Sequence, residues 1–508
     1  MPNLKQERQT AEAAGAESHG IAKALLIPRK SVLPTTALIL LSSLSAVQAL
    51  VIIFVDLPRE ALGLLVMGFL LTSLFSGLPI AWVMGASAML GLYKFGGWRV
   101  VESSFSDLIY DSTASWQLSV IPLFVVLGIA LWRSGVTTLA FDAARLWMGR
   151  LPGGLAVATN ASGAGLAAAS GSTMGIAIAL GRMAIPEMLK AGYHRGLATS
   201  VVAMSGTLGA MIPPSVLLVI YAGVVEVSVG KQLLAAIVPG ISVAVLFCVY
   251  IMIRATLQPT WAPKGESQQV SVAAKLRSLV GVIPLAVVVL TVIGGMLSGV
   301  FTATEAAGAG AVAAMLVGIG TVIRNKGRGK EIRSFIVDVA SETVSSTAAI
   351  FLVLIGVQLL SKVIALTRLT NVVSDFIIGL NLNMITLPLA LMVLYLFLGM
   401  FLGPLEMILL TVPVLMGALT ATGVDLIWFG VFLVVLCEVA IVSPPVGMLV
   451  FVVHKQAQKR EVNLGQRISL TDVFKGVLPF IAVIVGFLIV TIFFPDIMLA
   501  LPNGAPAP

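Results

Sequence analysis

Charge is scarce in this chain. Asp, Glu, Lys and Arg make up 11% of its 508 residues, against about 25% in average soluble domains. Apolar residues reach 58%, so too few polar side chains exist to cover a water-soluble globule of this length. That argues against a soluble enzyme, a nucleic-acid binder and a disordered scaffold. Cysteine is nearly absent. Cys248 and Cys437 each sit in an apolar run, which leaves no disulfide framework and no Cys-rich metal site. His19, His194 and His454 are too scattered for a zinc site. Nucleotide and catalytic signatures are missing as well. There is no phosphate-binding loop, no His-Glu zinc motif, no acid-rich metal-pyrophosphate motif and no Gly-x-Ser-x-Gly elbow. The chain therefore reads as neither an ATPase nor an enzyme.

What it has in abundance is long uncharged runs. The clearest are 31–55, 61–93, 112–132, 151–181, 196–225, 232–253, 278–304, 306–323, 343–361, 376–405, 407–424 and 476–495. A spanning helix needs about 20 apolar residues, so the longest runs hold two spans, a re-entrant hairpin or a broken helix. They lack the alternation of a membrane β-barrel, which leaves helices. The run 31–55 follows Lys23, Arg29 and Lys30 and has no convincing cleavage site, so it reads as a retained anchor. Threading the spans with the cluster Arg324, Lys326, Arg328, Lys330 and Arg333 in the cytoplasm puts 24 of the 31 Lys and Arg on that side. The net charge of +8 thus reads as the positive-inside rule. It predicts a cytoplasmic N-terminus and a periplasmic C-terminus.

The two halves echo each other. Ser76-Gly77-Leu78-Pro79 recurs as Ser298-Gly299-Val300-Phe301, and Phe124-Val125-Val126-Leu127-Gly128 as Leu352-Val353-Leu354-Ile355-Gly356. Ile212-Pro213-Pro214-Ser215 recurs as Ser443-Pro444-Pro445-Val446, with the prolines offset by 231. The matches fall on opposite sides of the threading. The expected fold is all-α: a polytopic membrane protein of two inverted repeats, 61–256 and 278–497, joined by a cytoplasmic linker 257–277. A tail and one extra helix (1–60) precede them, and a short periplasmic tail (498–508) follows. Inverted repeats mark secondary transporters.

A Pro-Pro pair removes two backbone donors and breaks a helix. In lipid the freed carbonyls need partners, so such breaks line a cavity or bind something. Pro213-Pro214 and Pro444-Pro445 occupy matching positions. A packed kink is the plainer reading of either alone. Upstream of each lies a candidate hairpin. The first is 152–190, with Ala169-Ser170-Gly171-Ser172-Thr173-Met174-Gly175 at its tip; the second is about 384–418, with Gly399-Met400-Phe401-Leu402-Gly403-Pro404 at its tip. Broken helices and hairpin tips offer carbonyl and hydroxyl oxygens without a carboxylate or imidazole cluster, which suits Na⁺ better than a divalent metal. Half-helix N-termini suit an anionic substrate. The candidate substrate residues are Ser170, Ser172, Thr173, Pro214, Ser215, Gly399, Gly403 and Pro445. The candidate Na⁺ residues are Ser170, Ser172, Thr207, Gly209, Pro213, Gly399, Ser443 and Pro444. Serine at the tip also fits plain small-residue helix packing. Membrane-depth acids mark function more often than loop acids do. Of Glu187, Glu226, Glu305, Glu406 and Glu438, the first three read as interfacial. Glu406 beside Pro404 is the best site candidate. Glu406 and Glu438 keep proton coupling open, and a proton-coupled or stand-alone anion symporter of the same architecture is the alternative; an intramembrane enzyme or a channel fits the pattern less well. Arg182 stands inside an apolar segment and reads as structural.

Over about 61–495 the chain resembles the large membrane subunit of the tripartite ATP-independent periplasmic (TRAP) transporters. The resemblance rests on Ser170-Gly171-Ser172 through Gly181-Arg182, on Pro186-Glu187-Met188, and on Gly206-Thr207-Leu208-Gly209 with Ile212-Pro213-Pro214-Ser215. In the second half it rests on Gly299-Val300-Phe301-Thr302-Ala303-Thr304-Glu305, Gly399-Met400-Phe401-Leu402 and Ser443-Pro444-Pro445-Val446-Gly447. It implies an elevator-type carrier in the inner membrane, driven by a Na⁺ gradient and usually serving carboxylate-bearing solutes. It implies no cofactor beyond the coupling ion. It also implies a periplasmic binding protein and a small four-helix membrane subunit as partners. The chain departs from the family at Gly403, where Asp is common. Its 60-residue N-terminal extension is too short to be a fused small subunit.

Overall fold

The computed structural model describes residues 35–263, 271–324 and 329–504. The proposed cytoplasmic tail up to residue 34, the middle of the linker, Lys326, Arg328 and the end of the periplasmic tail lie outside the described residues. Helices and their connections account for what is described, with no strand. The first half runs α1 (Thr35–Phe54), α2 (Arg59–Phe75), α3 (Ile80–Thr113), α4 (Val120–Arg133), α5 (Val136–Met148), α6 (Gly154–Ser170), α7 (Thr173–Lys190), α8 (Arg195–Met211), α9 (Val216–Val225) and α10 (Val229–Leu257). The linker region carries α11 (Val272–Val280). The second half runs α12 (Ile283–Leu297), α13 (Ala303–Arg324), α14 (Gly329–Leu366), α15 (Leu369–Gly379), α16 (Thr386–Leu398), α17 (Pro404–Ala421), α18 (Leu426–Ala440), α19 (Met448–Ala457) and α20 (Leu470–Phe493). Among the described residues, 6 helices are long and apolar enough to cross a membrane, or up to 9 if each bent pair counts as one span.

The order of elements repeats. Each half has two or three scaffold helices, then a short helical hairpin, then a helix interrupted at Pro-Pro, then a long helix. The duplicated turns agree in detail: Gly77 (φ 90°) joins α2 to α3 and Gly299 (φ 70°) joins α12 to α13. Both take the left-handed region that glycine enters without steric cost. The packing follows the same exchange. Helix α3 lies along α14, and α4 along α13; α7 touches α19, and α17 touches α9; α8 packs on α20, and α18 on α10. Each contact becomes its partner when the halves are swapped.

The broken helices form the core. All residues from 196 to 211 of α8 and from 428 to 440 of α18 are buried. Both are encircled by protein, so neither needs an apolar stripe. In a membrane, association between apolar helices comes from close packing rather than from water release. The run of Gly, Ala, Ser and Thr along α8 permits that approach. Polar ties add direction to the packing. Arg133 of α4 pairs with Asp338 at 3.0 Å and with Glu342, one turn apart on α14. Helix α1 docks on α2 through Ser45, Thr72 and Gln48, with Ser45 Oγ donating to Thr72 Oγ1 at 2.8 Å and Thr72 Oγ1 donating to Gln48 Oε1 at 2.8 Å.

Candidate functional site

The first hairpin turns between α6 and α7 at Gly171, whose φ is 58°. Its tip lies directly on the first break. A β-carbon placed on Gly171 would come 2.8 Å from the Pro214 carbonyl oxygen, and one on Gly209 would come 2.8 Å from the Ser172 carbonyl oxygen. One on Gly206 would come 3.1 Å from the Thr173 carbonyl oxygen. Only glycine at these positions lets the two backbones touch. The tip residues Gly171, Ser172 and Thr173 thus lie against Pro214, Gly209 and Gly206 of the first broken helix. The tip also reaches the scaffold: a β-carbon on Gly128 of α4 would come 2.9 Å from the Ser170 carbonyl oxygen.

Four helix ends converge there. The C-termini of α6 and α8 bring carbonyl groups, and the N-termini of α7 and α9 bring N–H groups. Pro213 and Pro214 have no N–H, so the carbonyls of Gly209 and Ala210 lose their helical partners. The hydroxyls are more committed than their sequence positions suggest. Ser172 Oγ accepts the Gly175 N–H at 3.3 Å and caps α7. Ser215 Oγ accepts the Leu218 N–H at 3.4 Å and caps α9. Ser170 Oγ accepts the Ser172 N–H at 3.4 Å. Thr207 Oγ1 donates to the Met204 carbonyl at 2.7 Å.

The second site is built on the same plan with different chemistry. Helices α16 and α17 flank the tip 399–403. A β-carbon on Gly399 would lie 3.0 Å from Cα of Ala440, at the end of α18. The 441–447 stretch closes on itself: the Ala440 carbonyl accepts from the Ser443 N–H at 3.2 Å, and the Ile441 carbonyl from the Leu449 N–H at 3.1 Å. The carbonyls freed by Pro444 and Pro445 thus find backbone donors, unlike those at the first break. Ser443 Oγ donates to the Val439 carbonyl at 2.8 Å. The space a side chain at Gly403 would occupy is filled by the Glu406 carboxyl group, which reaches back over the tip from the first turn of α17. Glu406 is buried.

The other acids sort by position. Glu187 pairs with Arg145 at 3.1 Å and with Lys190 at 2.9 Å. Glu305 accepts the Thr302 N–H at 2.8 Å at the start of α13. Glu226 is exposed at the end of α9. All three serve helix ends. Arg182 stays within α7, about 13 Å along the helix from Thr173 by its rise. Glu438 is different. It is fully buried on α18, and the side chain it interacts with is Thr173, at the opposite half's hairpin tip. Sequence reasoning noted both residues but had no signal to join them. Among the described residues, no group of three or more His, Cys, Asp or Glu could hold a metal ion.

The profile of one protein family, described as "Tripartite ATP-independent periplasmic transporter, DctM component", matches residues 66–497. The C4-dicarboxylate TRAP transporter large permease protein DctM of Pseudomonas aeruginosa is 29% identical over 421 residues, covering 83% of this chain and 93% of that protein. The sialic acid TRAP transporter large permease protein SiaM of Vibrio cholerae is 30% identical over 432 residues, covering 85% of this chain and 96% of that protein. Among solved structures, the YdaH transporter of Alcanivorax borkumensis superposes with a TM-score of 0.55 at 16% identity, over 87% of this chain and 99% of that one. That likeness concerns the fold alone.

Proposed function

With the chain a member of the DctM component family of tripartite ATP-independent periplasmic transporters, a multi-pass transport subunit and not an enzyme, we propose that it imports a small carboxylate-bearing anion coupled to Na⁺. In this reading the solute arrives from a periplasmic binding protein. A separate small membrane subunit braces the scaffold in the inner membrane. The observation that carries the reading is the seating of both hairpin tips on the helix breaks, Gly171 on Pro214 and Gly399 on Ala440. Such junctions put carbonyl ends and N–H ends of four half-helices at one place. The carbonyls of Gly209 and Ala210 give a weakly bound cation its ligands, and the N-termini of α7 and α9 give an anion its donors. The exchange symmetry of the packing supports two inverted repeats whose hairpins and broken helices move past their scaffold helices as an elevator. Relatives named for C4-dicarboxylates and sialic acid support an organic acid as the solute class.

The test is reconstitution. Proteoliposomes holding this chain with its small subunit should accumulate the solute only when the binding protein and an inward Na⁺ gradient are both present, and ATP should change nothing. Uptake on a pH gradient without Na⁺, abolished by Glu406→Gln, would point to proton coupling and overturn the Na⁺ assignment.

A further inference from the structure

Helix α11 is built unlike the helices around it. Its 9 residues are too few to cross a bilayer, and it meets the apolar α12 at a bend of 49°. It is a formed element, capped by Ser271 Oγ, which accepts the Ala274 N–H at 3.1 Å. Its large apolar side chains share one side. At 3.6 residues per turn, Val272, Leu276, Leu279 and Val280 span about 100° of its circumference, with Lys275 on one flank and Arg277 on the other. These four apolar residues are between 41% and 73% exposed. The helix is half-buried only at Lys275 and Ser278, where it rests on α5. There the Trp147 indole N–H donates to the Lys275 carbonyl at 3.2 Å. The Lys275 ammonium stands 5.8 Å from the centre of the Trp147 ring.

The two cations have no local countercharge. From 267 to 304 the chain contains no Asp or Glu, and among the described residues neither Lys275 nor Arg277 forms an ion pair. The apolar stripe also runs on into exposed Ile283, Val287 and Leu290 of α12, a helix apolar enough to lie in lipid. That continuity favours a leaflet over a protein partner as its cover. We propose that α11 lies in the plane of the cytoplasmic leaflet and, with Trp147, forms a docking site for anionic phospholipid headgroups. The stripe enters the acyl boundary, and Lys275 and Arg277 reach outward from it to headgroup phosphates on either side. Trp147 adds the amphipathic ring that suits this depth. Helix α5 connects the scaffold helix α4 to the first hairpin, so the lipid contact holds that connection at a fixed height in the bilayer. The choice of leaflet rests on the charge threading. The lipid contact itself stands apart from the Na⁺-coupled reading.

The experiment uses the full chain with its small subunit in phosphatidylcholine vesicles containing phosphatidylglycerol. A fluorophore on Leu276→Cys is quenched by brominated phosphatidylglycerol or brominated phosphatidylcholine at equal mole fraction, with the chain lacking that cysteine as the blank. The anionic lipid should quench more strongly at low mole fraction. Lys275→Gln and Arg277→Gln should each lower that preference about fivefold, the scale of one cation at a charged membrane surface. The swap Lys275→Arg with Arg277→Lys keeps both charges and should keep the preference. Equal quenching by the two lipids would make the stripe ordinary lipid-facing surface and overturn the headgroup site. No quenching by either would mean that protein covers α11, and would overturn its place in the leaflet. A preference that survives Lys275→Gln combined with Arg277→Gln would belong to other cations and overturn these two as its ligands.

Discussion

At the scale of single residues, the tip of the first hairpin is held by backbone geometry more than by side-chain chemistry. Gly171 has a φ of 58° and sits against the Pro214 carbonyl, which a β-carbon would approach to 2.8 Å. The left-handed conformation alone costs an L-residue about 1–2 kcal/mol. The contact is with backbone, so no side chain can swing aside to relieve it. Gly171→Ala is expected to lower the melting temperature of the purified chain and to reduce reconstituted uptake more than tenfold, because the tip must lift off the break. A variant with wild-type uptake would show that the tip tolerates being lifted. Ser172 and Ser215 teach a related lesson. Their hydroxyls cap α7 and α9, so losing either also removes a cap that contributes about 1 kcal/mol. Glu406 shows the converse. A shifted carboxyl fills the very space that a side chain at Gly403 would use, which the linear sequence reads only as a missing acid.

Among the elements, the junction between the first hairpin and the first broken helix is clamped by the start of the linker. His194 opens α8, and its Nδ1 accepts the Gly196 N–H at 3.1 Å. Its ring stacks on Trp261 at 4.4 Å, and the His194 backbone N–H donates to the Trp261 carbonyl at 2.9 Å. The Arg254 guanidinium lies 4.3 Å from the centre of the Trp261 ring. Burial pushes the His194 pKa below its ordinary 6.5, aided by Arg195 and Arg254 and opposed by Asp472. The unfolded chain therefore takes up this proton first as pH falls. The clamp contributes its full stability above about pH 6.5 and loses it as pH drops through the depressed value. Melting temperature should fall from pH 7.5 to pH 5.5, and His194→Gln should flatten that part of the profile. A slope unchanged in the variant would place the titration elsewhere. Arg195 of α8 also pairs with Asp472, in the first turn of α20, at 3.0 Å, which ties the second half's long helix to the first broken helix.

For the whole molecule, the orientation we propose rests on charge and not on packing. The threading puts 24 of 31 Lys and Arg on one side. Such an imbalance is what sets topology in multi-pass membrane proteins. A periplasm-active reporter fused after Pro508 should be active and a cytoplasm-active one silent; the reverse result would invert the threading and with it the direction assigned to each repeat. A β-carbon on Gly128 would come 2.9 Å from the Ser170 carbonyl oxygen, and one on Gly223 would come 2.7 Å from Leu118 Cδ2, which shows how little separates the site-bearing helices from the scaffold. Small residues at that boundary suit surfaces that slide.

The sequence by itself determined the class and the plan: a membrane carrier subunit, two similar halves, two hairpins near 152–190 and 384–418, and a break at each Pro-Pro. Those properties are local or periodic. Hydropathy sets spans, a missing N–H breaks a helix wherever it falls, and a repeat shows as a constant offset. The tertiary structure alone decided which atoms meet. It spent the Ser172 and Ser215 hydroxyls on caps and closed the second break with backbone bonds while leaving the first open. It folded Glu406 over Gly403, and it brought Glu438 to Thr173 from the other half of the chain. No spacing rule reaches across the two repeats, because their juxtaposition comes from helix packing summed over the entire bundle. The chemistry of the site belongs to that packing.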